Sequence, residues 1–406
     1  MSVGHTGSVE ELPEDALVTA GERGFGFYVH VPFCTVRCGY CDFNTYTAEE
    51  LGSRHGGRSV PGASRATYAE AAVTEVRRAR AVLGDRDLPV DTIFFGGGTP
   101  TLLDPGALTS VVAAIDAEFG LAAGAEVTTE ANPDSVTAES LARLRRGGIN
   151  RVSFGMQSAV DHVLRVLDRT HDPRRVPEVV AWARAAGFEQ VSLDLIYGTP
   201  GESVTDWERS LEAALACEPD HVSAYSLIVE AGTALGRRVR RGELPPPDED
   251  DLADKYLLAD ARLEAAGLGW YELSNWARTE QARCRHNLLY WRGGDWWGVG
   301  PGAHSHVAGV RWWNVKHPAA YAERLAAGRS PMQDHEVLDP ETRRLERVLL
   351  ELRLRSGLPT SALDEAGRAA VPRLETDGLV ATSPDRLHLT TRGRLLADAV
   401  VRDLVP

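Results

Sequence analysis

A regular alternation of short apolar segments with helical segments is the feature that most constrains the fold of this chain. Each apolar segment has the length and residue types of a β-strand, and a helical pattern separates it from the next one. This alternation is typical of βαβ units, which form a parallel sheet covered by helices. Six strands are predicted, at Phe25–Val31, Asp91–Phe95, Val127–Pro133, Arg151–Gln157, Val191–Gly198 and His221–Ile228.

Six units are too few for a closed eight-stranded barrel, although they are ordered like one. The sequence therefore predicts an α/β fold with an incomplete parallel (β/α)6 barrel, and an open doubly wound sheet stays as the alternative. In both folds ligands bind where the strands end. Glycines or polar residues stand at several of these ends, among them Gly96–Gly98, Glu130, Gln157 and Asp194.

The loop after the first strand carries three of the five cysteines, Cys34, Cys38 and Cys41, with the spacing Cys-x3-Cys-x2-Cys. Three thiolates can hold three irons of a cubane cluster, because soft iron prefers sulfur ligands. The fourth iron is then free for an outside ligand. A structural zinc site and buried thiols are the alternatives. Zinc usually takes four ligands, often from two Cys-x2-Cys pairs, whereas Cys217 and Cys284 are isolated.

Several of the strand-end residues suit a polar ligand, although each has an ordinary structural explanation as well. The Gly96–Gly98 run removes side chains where a backbone must approach a ligand. Glu130 could accept hydrogen bonds from ribose hydroxyls, and Arg169 suits a carboxylate. Gln157 and Asp194 could bind further polar groups of the same ligand.

Beyond the predicted barrel, His286 opens the segment His-Asn-Leu-Leu-Tyr-Trp, which ends at Trp291. A neutral imidazole is a common ligand of haem iron, and Tyr290 follows at helical spacing on the same face. A helix cap packed against tryptophans is the alternative, and the residues alone favour it. His304 and His306 could contact a ligand or could be satisfied core histidines.

Composition and pattern divide the chain into four parts. We expect a flexible N-terminus over residues 1–24, the partial barrel over 25–245 and an α+β region over 246–338. Residues 339–406 have the helix and hairpin pattern of a winged-helix-like domain. Eleven arginines and thirteen acidic residues between 331 and 406 make DNA binding a poor explanation for that domain.

Charge and hydropathy narrow the class of protein. The net charge of −14 argues against nucleic acid as the main partner. No apolar run reaches the length of a membrane span, and no secretory signal is recognised. The expected compartment is therefore the reducing cytoplasm, where disulfides are rare. A transient contact with a membrane protein stays open.

Taken together, these motifs resemble the radical S-adenosylmethionine (SAM) family of oxygen-independent coproporphyrinogen III oxidases and their relatives. The resemblance implies that Cys34, Cys38 and Cys41 bind a [4Fe-4S] cluster whose open iron takes SAM. The matching segments are Tyr28–Cys34, Phe95–Thr101, Thr129–Pro133, Val152–Ser158, Asp194–Gly201 and Gly300–Ser305. The SAM pocket implied by the resemblance consists of Tyr28, Tyr40, Gly97, Gly98, Thr99, Glu130, Gln157, Arg169 and Asp194.

Two features distinguish the subfamilies. The oxidases carry a further cysteine two residues after the third, where this chain has Phe43, and a longer N-terminal segment. The segment from His286 to Trp291 instead resembles the haem chaperones of the superfamily. The resemblance implies haem contacts at His286, Asn287, Tyr290 and Trp291.

The function implied by the second resemblance is binding of haem and its transfer to an acceptor haem protein, such as a respiratory one. An electron donor of the flavodoxin or ferredoxin type would serve the cluster. The alternative is oxidative decarboxylation of the propionates of coproporphyrinogen III by a 5′-deoxyadenosyl radical.

Overall fold

Residues 12–13, 18–54 and 62–405 are described by the computed structural model. Most of the expected flexible N-terminus, residues 1–11 and 14–17, lies outside them. The first six strands pair in parallel and in chain order, which confirms the predicted partial barrel. They are β1 (Phe25–Val31), β2 (Val90–Gly97), β3 (Leu121–Ala131), β4 (Arg151–Gln157), β5 (Gln190–Tyr197) and β6 (His221–Ser226).

Helices follow the strands and cover the outer face of the sheet, as the alternating sequence pattern predicts. The polar, Gly- and Ser-rich stretch of residues 48–65 predicts a surface loop. The structure departs from this prediction at residues 48–54, which form the first of these helices. Thr47 and Glu50 form a reciprocal side-chain cap at its start. The helices of this part are Ala48–Arg54, Tyr68–Leu83, Pro105–Phe119, Ala138–Arg146, Asp161–Val166, Arg175–Ala186, Val204–Leu215, Ala234–Arg240 and Glu249–Ala265.

The region after residue 246 extends the same sheet at both of its edges. Its strands are β7 (Gly269–Glu272), β8 (Asn275–Ala277), β9 (Asp295–Val299), β10 (His304–Val307), β11 (Val310–Asn314) and β12 (Met332–Val337). Strands β7 and β8 continue the sheet beyond β6, and β9 to β12 continue it beyond β1. Strand β9 is a seventh parallel strand, since it runs parallel to β1. Its short Trp-Trp-Gly-Val sequence lacks the β-branched run that marks the other parallel strands. The helices here are Arg285–Trp291 and Pro318–Ala326.

The two faces of the barrel strands differ in polarity because successive side chains point to opposite sides. On β1, Phe25, Phe27 and Val29 are buried in the hydrophobic core beneath the helices. The alternate residues, such as Tyr28 and His30, point to the concave side. This side is lined largely by polar or small residues, which leaves it suited to a polar ligand.

The C-terminal region has a hydrophobic core of its own. Its elements are the helices Pro340–Glu351, Glu365–Thr376, Thr391–Leu395 and Ala397–Leu404 and the strands β13 (Leu358–Pro359), β14 (Val380–Thr382) and β15 (Arg386–Leu389). The three strands form an antiparallel sheet, in agreement with the winged-helix-like prediction. Arg394 joins this region to the barrel, because its guanidinium lies 2.6 Å from the Asp260 carboxylate. Among the described residues, no helix is long and apolar enough to cross a membrane.

A buried carboxylate fixes the loop that follows β9. Glu75 is 1% exposed and accepts hydrogen bonds from the Gly300 N–H (2.8 Å), the Asn314 side chain (2.7 Å) and the Tyr321 hydroxyl. Burial is the largest cause that raises the pKa of Glu75, to about 7. Since the folded pKa lies above the unfolded one, the protonated form stabilises the fold. This contribution is complete below pH 4.5 and is lost as the pH rises through 7.

We expect Glu75→Gln to flatten the dependence of the free energy of unfolding on pH. The amide keeps the size of the side chain but does not ionise, so about 3 kcal/mol of pH-dependent destabilisation between pH 4.5 and 8 should disappear. Urea denaturation at several pH values measures this slope. Glu70→Gln, an exposed position on the same helix, is the control. Parallel curves for Glu75→Gln and the wild type would contradict the assignment.

Candidate cofactor site at the mouth of the barrel

The cysteine loop is held at the carboxyl end of β1 by backbone hydrogen bonds. The Cys34 N–H donates to the Tyr46 carbonyl (3.0 Å), and the Gly39 N–H donates to the Leu167 carbonyl (3.1 Å). Cys34 is buried, and Cys38 and Cys41 are half-buried. All three thiols therefore lie in a fixed loop at the mouth of the barrel.

Burial favours the protonated form of two of these thiols, those of Cys34 and Cys41. It raises the pKa of Cys34 to about 11, with a further contribution from the neighbouring Cys41, and it also raises the pKa of Cys41. Iron would have to displace these protons. Within the described residues, no three His, Cys, Asp or Glu side chains converge on one point as a single ion requires. Three thiols on one loop can occupy three corners of a cubane cluster, whereas a structural zinc ion usually takes four ligands.

The glycine run after β2 packs directly on the cysteine loop. The Gly98 N–H donates to the Val31 carbonyl and the Thr99 N–H to the Phe33 carbonyl, both at 2.8 Å. Gly97 has φ 106°, a conformation that favours glycine. A Cβ on Gly98 would lie 2.5 Å from the Phe33 carbonyl oxygen. Glycine is therefore needed for this close approach of two backbones.

Arg169 connects β4 to the cysteine loop. Its guanidinium donates to the Gly155 carbonyl (2.7 Å) and approaches the Cys38 sulfur at 3.5 Å. Its buried Nε has no hydrogen-bond partner within the described residues. Gln157 lies beside Gly155 in the left-handed region, with φ 60°. Strained backbone and an unused donor in one place fit a site that receives a carboxylate.

Two acidic side chains face the interior next to this arginine. Burial raises the pKa of Glu130 to about 8, and the nearby Asp194 raises it further. Asp194 accepts hydrogen bonds from the Ser153 hydroxyl at 2.8 and 2.9 Å, and burial raises its pKa as well. The Tyr28 hydroxyl lies 3.0 Å from the His30 ring, on the same side of the sheet. The arrangement offers hydrogen-bond acceptors for ligand hydroxyls.

The structure brings together the residues that the resemblance assigns to the cluster and to SAM. The half-buried Tyr40 belongs to the same group, because its hydroxyl lies near Arg169 and Cys38. Sequence reasoning missed Ser153, which orients Asp194, and Asn44, which joins the cysteine loop to the β9–β10 loop. The Asn44 side chain donates to the Pro301 and Lys316 carbonyls at 2.9 and 2.8 Å. The alternation of side chains along β4 places Ser153 on the inner face, and this pattern could have identified it as a site residue.

The helix Arg285–Trp291 closes the opposite end of the barrel. The Glu126 carboxylate accepts the backbone N–H groups of Arg285 (2.9 Å) and His286 (3.1 Å) at the start of this helix. His286 is 1% exposed, and its ring nitrogens lie 2.8 Å from the Thr92 hydroxyl and 2.7 Å from the Tyr290 hydroxyl. Burial lowers the pKa of His286 to about 3, so the imidazole is neutral. Both nitrogens are engaged in the barrel floor.

The four side chains of the His286–Trp291 motif do not converge. Tyr290 turns towards β9, where its ring centroid lies 4.5 Å from that of Trp296. The half-buried Trp291 packs instead with Tyr271 and Leu354 on the side of the C-terminal region. Asn287 is half-buried as well. The motif therefore links the barrel floor, the β9 edge and the C-terminal region.

Comparison with known proteins agrees with this geometry. The family model described as Radical SAM superfamily matches residues 28–214, and the model of the HemN C-terminal domain matches residues 338–396. Coproporphyrinogen III oxidase (HemN) from Escherichia coli superposes with a TM-score of 0.79, over 96% of this chain and 92% of that one, at 22% identity. The likeness establishes a shared fold. The fold and the three-cysteine loop thus define a radical SAM protein.

Sequence relatives place the chain more closely. It is 52% identical to the heme chaperone HemW of Mycobacterium tuberculosis (strain H37Rv), over 97% of this chain and 98% of that one. It is 34% identical to the heme chaperone HemW of Bacillus subtilis, over 92% and 97% of the two chains. The chain belongs to the HemW family of the radical SAM superfamily.

Radical SAM proteins use a [4Fe-4S] cluster and SAM, and the residues at the barrel mouth fit both. Cys34, Cys38 and Cys41 would hold the cluster, and the free Arg169 Nε would meet the SAM carboxylate. When bound and reduced, the cluster and SAM would supply radical chemistry at this site. The chain's own contribution is to position these groups with the glycine run and to keep them in a largely buried site.

We expect Cys38→Ser to lower the iron and sulfide content of anaerobically reconstituted protein more than roughly tenfold, because serine oxygen is a poor ligand for soft iron. Colorimetric iron and sulfide analysis with electron paramagnetic resonance measures the loss. The control is Cys217→Ser, since Cys217 is a half-buried thiol outside the cysteine loop whose sulfur donates to the Ala213 carbonyl at 3.4 Å. Equal cluster content in Cys38→Ser and the control would contradict the site.

Arg169→Gln should weaken SAM binding about tenfold or more, since a charge-assisted hydrogen bond to a carboxylate contributes about 1.5–3 kcal/mol. Equilibrium dialysis of the cluster-loaded protein with SAM measures this change. Arg165→Gln, an exposed arginine on the preceding helix, serves as the control. Unchanged SAM affinity together with full cluster content would exclude Arg169 from the SAM site.

Proposed function

We propose that this chain is a haem chaperone, which binds haem and passes it to acceptor haem proteins, on a radical SAM scaffold. The observation that carries the proposal is 52% identity to a protein named heme chaperone, across nearly the full length of both chains. Decarboxylation of coproporphyrinogen III is the less favoured function. Its oxidases carry a further cysteine in place of Phe43, which is 62% exposed on the cysteine loop of this chain.

In this proposal the residues His286, Asn287, Tyr290 and Trp291 shape the haem site in different ways. His286 is a positioning residue, because its ring nitrogen Nε2 is hydrogen-bonded to the Tyr290 hydroxyl at 2.7 Å. Tyr290 is half-buried and packs on Trp296, and it is the member of the motif that meets the β9 edge of the sheet. Haem approaching this edge would contact Tyr290, whereas His286 acts through Tyr290.

An electron donor of the flavodoxin or ferredoxin type fits a basic surface beside the cysteine loop. The helix Ala234–Arg240 is bound to that loop through the Leu235 N–H, which donates to the Gly39 carbonyl at 2.8 Å. Arg237 and Arg240 are exposed on it, and no carboxylate of a described residue lies within 4.0 Å of either guanidinium. An acidic protein docked here would reach the cluster by a short path.

The acceptor in this proposal is a haem protein such as a respiratory one, reached from the cytoplasm by a transient contact with a membrane protein. The overall charge of −14 argues against nucleic acid as the main partner.

Haem titration of the anaerobically reconstituted protein tests the proposal, followed by transfer to an apo haem protein. We expect saturable binding near one haem per chain, and no protoporphyrinogen when coproporphyrinogen III is supplied with SAM and reductant. Trp296→Phe should weaken haem binding, because Trp296 packs on Tyr290 at the β9 edge, and Trp182→Phe, a half-buried tryptophan on a barrel helix, is the control. Protoporphyrinogen formation, or absence of specific haem binding by the wild type, would overturn the proposal.

A further inference from the structure

The concave face of the sheet continues past the barrel onto strands β9 to β11, and aromatic side chains line it there. Trp296 on β9 lies 5.2 Å from the His306 ring on β10, measured between ring centroids. In the next row, His304 on β10 stacks on Trp313 of β11 at 5.8 Å and 27°. Gly298 of β9 pairs with Tyr28 of β1, so no side chain stands between Tyr28 and these two ring pairs. The result is an aromatic surface on the flank of the barrel, formed by β9 to β11.

His304 differs from the other histidines of this face. The ring nitrogens of His30 lie 3.0 Å from the Tyr28 hydroxyl and 2.9 Å from the Asn44 carbonyl. Those of His306 lie 3.0 Å from the Gly294 carbonyl and 3.1 Å from the Gly309 nitrogen. The ring of His304 is exposed and makes no hydrogen bond to any described residue.

We propose that His304 is the axial ligand through which haem iron is held, with Trp313 and Trp296 as the aromatic surface beneath the macrocycle. This inference rests on the proposed haem chaperone function and assigns its iron ligand. An iron ligand needs an accessible imidazole nitrogen with a free lone pair, and His304 provides one. His286 has both nitrogens engaged in the barrel floor, so it does not meet this requirement in the present arrangement.

Charge on the same face suits the propionates of haem. The Lys316 ammonium is exposed, and no carboxylate of a described residue lies within 4.0 Å of it. Arg311, in contrast, already pairs with Glu336 (2.6 Å) and Glu346 (2.8 Å). Partial desolvation lowers the pKa of His304, and the charges of Lys316 and Arg311 lower it further, which favours the neutral imidazole that binds iron.

The surface also gives the His286–Trp291 motif a structural role in haem binding. A chain of ring contacts runs from His286 to Tyr290 (4.7 Å), from Tyr290 to Trp296 (4.5 Å) and from Trp296 to His306. Disturbing His286 would therefore shift the inner edge of the aromatic surface, although the imidazole of His286 stays buried. An effect of His286 on haem binding is thus compatible with iron ligation by His304.

Parallel haem titrations of the full-length, cluster-loaded wild type, His304→Ala and His162→Ala test the inference. His162 is a partly exposed histidine on a barrel helix and is the matched control. We expect His304→Ala to raise the haem Kd at least tenfold and to lose the absorption and electron paramagnetic resonance signature of imidazole-bound iron. Added imidazole should restore that signature, which a loss of folding would not allow. The cluster iron content and the SAM affinity of His304→Ala should match those of the wild type.

The possible results distinguish the assignment of His304 as the iron ligand from the haem chaperone function itself. Haem binding by the wild type together with an unchanged affinity and spectrum for His304→Ala would overturn the assignment of His304 and leave the chaperone function standing. Absence of haem binding by the wild type would overturn the chaperone function, and the ligand assignment with it. Trp313→Leu, which removes the stacking partner but no ligand, should weaken binding while the imidazole signature is retained.

Discussion

The arrangement of the barrel mouth depends on the backbone contact between the cysteine loop and the glycine run after β2. Two hydrogen bonds of 2.8 Å join the Gly98 and Thr99 N–H groups to carbonyls of the β1 end. A side chain at Gly98 would meet the Phe33 carbonyl at 2.5 Å and the Cys34 sulfur at 3.0 Å. Because this contact fixes Cys34, it also fixes where the cluster and SAM can lie.

The single sheet separates three environments that the chain uses differently. The mouth holds the cysteines, Arg169 and the half-buried acids Glu130 and Asp194. The floor is closed by the helix Arg285–Trp291, whose His286 is held between Thr92 and Tyr290. The flank, formed by β9 to β11, exposes His304 and the tryptophans. The Tyr290 ring contacts His286 in the floor and Trp296 on the flank. A side-chain movement in the floor can therefore displace rings on the flank.

Most of the barrel could be predicted from the sequence because its strands are continuous apolar runs between amphipathic helices. The positions of Cys34, Glu130 and Asp194 followed from the rule that parallel strands present their carboxyl ends at one edge. Strand β9 was missed, since its pairing with β1 joins residues about 270 positions apart and no local pattern encodes such a distant partner. The same limit hid the Glu75 carboxylate, whose partners lie on later elements of the chain.

The orientation of His286 could not be predicted from the sequence pattern. The spacing of His286 and Tyr290 was predicted to bring them to one helix face, and their rings are in contact. The pattern could not show which way that face points, because orientation is decided by Glu126 and Thr92 on distant strands. A motif can therefore identify residues that matter for a ligand without identifying the atom that binds it.

The most direct test is a crystal structure of the haem-loaded, cluster-reconstituted protein, with iron located by anomalous scattering. We expect two iron sites: the cluster at Cys34, Cys38 and Cys41, and a haem iron bonded to His304 above Trp313. A haem iron bonded to His286 within the barrel floor, or a macrocycle lodged at the cluster in place of SAM, would contradict it.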